Sequence, residues 1–121
     1  MTKNAVYFDV HLKINAGQLD AFKKIAEAMI AATKKEPGAL AYEWYFNDDQ
    51  SQCRLQETYA DEAAVEAHMS GAAVHEFVPK LLQIATVTGF DVYGNPGAKA
   101  TSVLTGLGAT IFERWQGLAA A

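Results

Sequence analysis

Two side chains that could exchange a proton stand eleven positions apart in the sequence, Glu57 and His68. Glu57 alternates with Leu55 and Tyr59 along an expected strand, so its carboxyl group should point toward the helices that cover the sheet. His68 lies on the helix that follows directly. A carboxylate that holds one imidazole nitrogen orients the ring and raises the pKa of the histidine. The pair is a candidate for acid–base catalysis. The competing interpretation is a structural tie between helix and strand.

Aromatic residues surround this pair. The stretch "EPGALAYEWYFNDD", residues 36–49, places Tyr42 and Trp44 on one strand face beside it. Such rings suit a flat aromatic or quinone-like ligand, by stacking and by a hydrogen bond from the hydroxyl or indole group. Tyr59 is expected to shape the same pocket, and His75 to flank it at the start of a broken helix. Plain core packing is the alternative interpretation.

Several other kinds of site are missing from the sequence. It contains no GxGxxG motif, no P-loop and no serine-hydrolase elbow. His68 and His75 do not have the i, i+4 spacing of helical metal ligands, so no metal site is predicted. Cys53, the one cysteine, cannot form an internal disulfide. The motifs of these nucleotide-binding, hydrolase and helical metal sites are therefore not what the chain offers for chemistry.

Composition indicates one soluble domain. The chain has 121 residues, of which half are apolar and a fifth are charged. The net charge of -4 argues against a nucleic-acid surface, which needs a basic patch. No apolar run approaches the roughly 20 residues that span a bilayer, and the start of the chain lacks the apolar stretch of a signal peptide. A cytoplasmic protein without a membrane partner is expected.

The order of predicted elements is β-α-β-β-α-β. Residues 6–14 alternate as a half-buried strand, and residues 18–35 have apolar residues at helical spacing. This order predicts an α+β, ferredoxin-like domain over residues 1–95, with a four-stranded antiparallel sheet and both helices on one face. Residues 96–121 are expected to extend the domain as a short helix, "AKATSVLTGLG", followed by a fifth strand or an arm.

The uncovered face of this sheet predicts a partner. One face of the second strand carries Leu40, Tyr42, Trp44 and Phe46, and the other carries Ala41 and Tyr45. Whichever face points outward shows apolar or aromatic surface, and large patches of that kind mark interfaces. Two such sheets can pack face to face. We therefore expect a homodimer in which the C-terminal arm reaches over the partner.

The motifs "EPGALAYEWYFNDD" and "LQETYADEAAVEAHMSG" give the chain a recognisable pattern. The shared features are the PG turn, the strand containing YE, the E-x-Y end of the third strand and the AH near the end of the next helix. In these features, over roughly residues 5–94, the sequence resembles the antibiotic-biosynthesis monooxygenase (ABM) family, in its small quinol-monooxygenase-like branch.

The resemblance implies a dimeric α+β barrel with a pocket between sheet and helices in each subunit. It implies oxidation of a phenolic, polycyclic aromatic or quinol substrate by molecular oxygen, without flavin, haem or metal. By motif, Glu57 and His68 match the recurring acid and histidine of the family. By strand location alone, Tyr42 and Trp44 match its pocket residues.

Two alternatives stay open at this stage. One is a non-catalytic dimer with the same fold that binds a small ligand or is associated with a stress response, because fold does not fix function. The other is a haem-degrading monooxygenase, although its asparagine–tryptophan–histidine set has no unambiguous counterpart here. An open cavity with His68 facing it would favour the enzyme, whereas a cavity sealed by Trp44 and Met69 would favour the binding protein.

Overall fold

The computed structural model describes residues 3–119. The elements follow one another as β1 (Val6–Ile14), α1 (Leu19–Thr33), β2 (Ala39–Phe46), β3 (Gln52–Tyr59), α2 (Glu62–Met69), a π-helical segment (Ala73–Phe77), α3 (Val78–Leu81), β4 (Ala85–Tyr93), α4 (Ala98–Gly106) and β5 (Thr110–Phe112).

The sheet confirms the predicted ferredoxin-like α+β fold. Its strand order is β2-β3-β1-β4-β5. The first four strands pair antiparallel, and β5 adds to the β4 edge in parallel. The expected C-terminal helix and strand are therefore α4 and β5.

Alternation along β1 sets the position of the core. Every second residue from Val6 to Ile14 is buried under the helices, as predicted. From the other side, α1 contributes Phe22 and Met29, both fully buried or nearly so. Burial of this apolar surface is the main driving force that keeps helices and sheet together.

One prediction for β2 is wrong. Leu40 was expected on the same face as Tyr42, Trp44 and Phe46, yet its side chain is 56% exposed. The pairing of β2 with β3 shifts between Ala39 and Ala41, which leaves Leu40 in a β-bulge. Because a bulge adds one residue, it breaks the two-residue alternation at that point.

The helical segment after β3 is interrupted, as the sequence predicted. Asp61 caps α2, since its Oδ1 accepts a hydrogen bond of 2.9 Å from the backbone N–H of Ala64. The segment after α2 begins as a wider, π-helical turn and becomes α-helical at Val78. Pro79 explains the change, because it has no N–H to donate to the preceding turn.

The other sheet face is open in the single chain. Three aromatic side chains on it or at its β5 edge are about half exposed: Tyr45, Tyr93 and Phe112. Tyr93 and Phe112 stack with ring centroids 5.4 Å apart. Within residues 3–119, no helix is long and apolar enough to cross a membrane.

Candidate active site

A cavity lies between the inner face of the sheet and the helices. The volume that the centre of a water molecule can reach inside it is about 120 Å³, and the empty space is about 750 Å³ when open solvent at its mouth is included. Strand residues, among them Phe8, Leu55 and Phe90, form one side, and Met29, Met69 and Val78 belong to the helical side. The volume of about 120 Å³ is similar to that of a cavity of about 150 Å³ that holds benzene, so it suits an aromatic ring of that size.

The polar part of the cavity wall consists of Tyr42, Glu57 and His68. His68 lies between two carboxyl groups. Its Nδ1 is 2.9 Å from Oε1 of Glu36, and its Nε2 is 3.4 Å from Oε1 of Glu57. The hydroxyl of Tyr59 donates a short hydrogen bond to the same Oε1 of Glu57. The four side chains form one connected acid–base cluster.

Local structure explains why these side chains meet. In the β2–β3 pairing Tyr42 stands opposite Glu57, so both point to the inner side of the sheet. On α2, His68 is buried together with Val65, three residues before it on the same face. Gly38 lets α2 come close to the start of β2, because a Cβ there would lie 2.4 Å from Cβ of Ala64.

Burial dominates the electrostatics of the cluster. It raises the pKa of Glu57 to about 8; the nearby Glu36 raises it as well, and the hydrogen bond from Tyr59 opposes both. Burial also lowers the pKa of His68, although Glu36 acts in the opposite direction. The pKa of the Tyr42 hydroxyl is raised, first by burial and then by Glu57. At neutral pH the cluster therefore holds a protonated Glu57 and a neutral imidazole.

These protonation states define what the cluster can do. The N–H at Nδ1 of His68 donates to Glu36, which leaves the lone pair of Nε2 on the side of Glu57 and the cavity. Nε2 can accept a proton from a bound hydroxyl group, and Glu36 then stabilises the imidazolium. Glu57, protonated and facing the cavity, can donate a proton.

The structure brings three of the predicted site residues to the cavity and places a fourth behind them. Tyr42, Glu57 and His68 line the cavity, and His68 faces it. Tyr59 is fully buried behind Glu57, with its ring 4.9 Å from the imidazole of His68. Tyr59 thus contacts the acid–base cluster and is not among the lining residues.

The placement of Trp44 corrects the prediction that it shapes the pocket. Its ring packs edge-on against Phe22 of α1 and against Tyr42, both with centroids 5.8 Å away, and it is not part of the cavity wall. Trp44 lies two residues beyond Tyr42 on the same face of β2. Its side chain is therefore farther along the strand from the cavity and packs under α1. Its role is core packing.

His75 was predicted to flank the pocket and does not. It is exposed, whereas its neighbours Val74 and Val78 line the cavity. The π-helical turn brings Val74 to the inner side, so that the next residue, His75, faces solvent.

Sequence reasoning missed one member of the cluster, Glu36. It precedes the Pro37–Gly38 turn, and its Oε1 accepts the hydrogen bond from His68. The signal was its position beside the PG turn that leads into β2. Nothing in the local pattern places a loop carboxylate beside a helix residue 32 positions away.

The comparisons with known proteins agree with this architecture. Residues 5–80 match the sequence profile described as antibiotic biosynthesis monooxygenase. The chain belongs to the antibiotic biosynthesis monooxygenase family. No match is found among curated protein sequences.

Solved structures similar to this family member include MupZ from Pseudomonas fluorescens, with a TM-score of 0.82 at 24% identity over 96% of this chain and 94% of that one. SnoaB from Streptomyces nogalater, described as a cofactor-independent oxygenase, gives a TM-score of 0.67 at 12% identity. The match covers 78% of this chain and 96% of that one. A conserved protein from Methanosarcina mazei gives a TM-score of 0.69 at 18% identity, over 75% of this chain and 92% of that one. These similarities show a shared fold.

The arrangement of the possible metal ligands bears on whether the chain can hold a metal ion. Within residues 3–119, no group of three or more His, Cys, Asp or Glu side chains is arranged to hold a metal ion. The histidine of the site has both ring nitrogens beside carboxyl groups.

Proposed function

We propose that this member of the antibiotic biosynthesis monooxygenase family is a cofactor-independent monooxygenase that oxidises a quinol, a phenol or a polycyclic aromatic compound with molecular oxygen. The observation that carries the proposal is the position of His68, which faces an apolar cavity with one carboxyl group beside each ring nitrogen. A structural tie between helix and strand would not require the imidazole to face this cavity.

In the proposed reaction, Nε2 of His68 removes the proton of a substrate hydroxyl group. Glu36 at Nδ1 stabilises the resulting imidazolium and keeps the ring in the tautomer that has its lone pair at Nε2. The anion so formed is electron-rich and can pass an electron to oxygen. Tyr42 and protonated Glu57, which line the cavity, donate hydrogen bonds to the oxygen atoms on which charge develops.

The overall reaction balances without an added reductant. One oxygen atom of O₂ bonds to a ring carbon of the substrate and becomes a carbonyl oxygen, and the other leaves as water. The substrate loses two hydrogen atoms to that water, and the four electrons that reduce O₂ come from the substrate. Protonated Glu57 gives a proton to the departing oxygen and takes one back from the imidazolium of His68.

Oxygen uptake tests the proposal. An oxygen electrode follows the wild type, His68→Ala and His75→Ala with a panel of quinols, naphthols and polycyclic phenols. His75 is the matched control, because it is a histidine of the neighbouring helical segment that is exposed and lies outside the cavity. We expect uptake in the wild type and His75→Ala and a loss of about 10²-fold or more in His68→Ala. Equal uptake in the three proteins would contradict the proposal.

One observation favours a second candidate, an acid–base reaction that does not consume oxygen. A protonated Glu57 next to a neutral His68 can give one proton and take another, as isomerisations and ring closures require. The two candidates differ in one measurable respect. Product formation under nitrogen at the aerobic rate would select the second.

We also propose that the enzyme acts as a homodimer through the open face of its sheet. The half-exposed side chains of Tyr45, Tyr93 and Phe112 on this face and at its β5 edge support the proposal. Beyond β5, Trp115 is 86% exposed on the C-terminal segment, as expected of an arm that packs on a partner subunit.

A further inference from the structure

The cavity has one polar end and an otherwise hydrocarbon wall. Tyr42, Glu57 and His68 supply the polar groups, and the remaining lining side chains are aliphatic, phenylalanine or methionine. Among residues 3–119, no lysine or arginine lines the cavity. We propose that the cavity selects a neutral ligand, with a hydroxyl group at Glu57 and His68 and an aliphatic group against Leu104 and Leu107.

The two leucines come from the C-terminal extension. They lie beyond residues 5–80, the part that matches the family. Leu104 is 1% exposed and Leu107 is 46% exposed, and both line the cavity. Leu104 therefore belongs to the buried part of the cavity wall, and Leu107 lies where the cavity meets solvent.

Backbone hydrogen bonds hold both leucines at the end of α4. The N–H of Leu107 donates to the carbonyl of Val103 at 3.1 Å, and the N–H of Ala109 donates to that of Leu104 at 3.0 Å. Gly108 reverses the chain with φ of 92°, a conformation that favours glycine. The leucines are thus fixed over the cavity. Val103, on the same helix, is 49% exposed and does not line the cavity.

Charge explains why the ligand should be neutral. A carboxylate or phosphate on the ligand would enter an apolar space with no cationic side chain to pair with it, and desolvation of an unpaired charge is costly. Of the described lining side chains, His68 is the one that could become cationic, and it already has the carboxyl group of Glu36 at its Nδ1. A neutral hydroxyl group, by contrast, finds both donors and an acceptor at the polar end.

This inference rests on the proposed function, since it concerns the ligand of the same cavity, but its test measures binding alone. Isothermal titration calorimetry under nitrogen measures the dissociation constants of 4-ethylphenol, 4-butylphenol and 4-hexylphenol. These ligands share a neutral hydroxyl group and differ in the length of the alkyl chain. The corresponding 4-alkylbenzoates are the anionic controls. The proteins are the wild type, Leu104→Ala, Leu107→Ala and Val103→Ala.

We expect affinity for the phenols to rise by up to about fourfold for each methylene that becomes buried. Leu107→Ala should flatten this rise for the longest chain, and Leu104→Ala should flatten it too if that variant remains folded by circular dichroism. Val103→Ala should keep the wild-type rise. The benzoates should bind at least tenfold more weakly than the phenols of equal chain length.

Two results would overturn the inference. One is an identical dependence on chain length in Leu107→Ala and Val103→Ala, which would remove α4 from ligand selection. The other is benzoate binding as tight as phenol binding, which would contradict selection for neutral ligands. Because the titrations contain no oxygen, they measure binding independently of oxygen consumption. Binding as expected together with absent oxygen uptake would therefore refute the monooxygenase proposal and leave this inference standing.

Discussion

Replacing Glu57 by glutamine should change the pH dependence of stability in a specific direction. Burial raises the pKa of Glu57 from an ordinary 4.5 to about 8. A carboxyl group with a higher pKa in the folded state stabilises the fold fully below its unfolded pKa, and this contribution disappears as the pH rises through the folded pKa. Glutamine has the shape of the protonated acid and does not titrate.

The magnitude follows from the size of the pKa change. A tenfold change in a dissociation constant corresponds to about 1.4 kcal/mol, so the full change is worth on the order of 5 kcal/mol. About 4 kcal/mol of it falls between pH 5 and pH 9. Over that range the free energy of unfolding of Glu57→Gln, relative to wild type, should therefore rise by about 4 kcal/mol.

Urea unfolding at five pH values from 5 to 9, followed by circular dichroism, measures this difference. Glu43→Gln is the matched control, because Glu43 is an exposed glutamate on the neighbouring strand. Its stability relative to wild type should not change with pH in the same way. A constant difference between Glu57→Gln and wild type across the range would refute the assignment of a protonated, buried Glu57.

Three further predictions concern the histidine, the packing of α2 and the oligomer. Glu36→Gln should lower the pKa of His68 further, since Glu36 raises it against burial; an NMR titration of the imidazole would show this, and an unchanged or higher pKa would contradict the assigned contact. Gly38→Ala should destabilise the fold by about 1–3 kcal/mol, because its Cβ would lie 2.4 Å from Cβ of Ala64. At Gly106 an added Cβ would meet nothing beyond its own helix backbone and chain neighbours within 4 Å, so Gly106→Ala should be neutral or stabilising by up to about 1 kcal/mol. Equal thermal unfolding of the two variants would argue against the close approach. Light scattering should give about twice the chain mass of 13.1 kDa, and a monomer at micromolar concentration would exclude the proposed dimer.

The fold could be predicted because its signals are local and repeated. Alternation along β1 and helical spacing along α1 each extend over many residues, so single exceptions do not change the result. The pairing of Glu57 with His68 followed from the same two periods, together with the direct succession of strand and helix. The order of elements then limited the topology to few choices.

The remaining parts of the site depend on contacts that periodicity does not encode. Glu36 contacts His68 where the chain turns from α1 into β2, and Gly38 in the same turn allows α2 to approach closely. Trp44 shares a face with Tyr42, but position along the strand decides which of them borders the cavity. The exposed position of His75 depends on the π-helical turn, and both Pro79 and packing determine the geometry of that turn. Tertiary contacts contribute to each of these placements, so the local sequence alone could not predict them.

Isotope labelling tests the proposed reaction most directly. A quinol that supports oxygen uptake is turned over by the wild type in ¹⁸O₂, and the product is examined by mass spectrometry. The monooxygenase proposal predicts one labelled oxygen atom in the product and labelled water as the other product. Product without label, formed at the same rate under nitrogen, would contradict it.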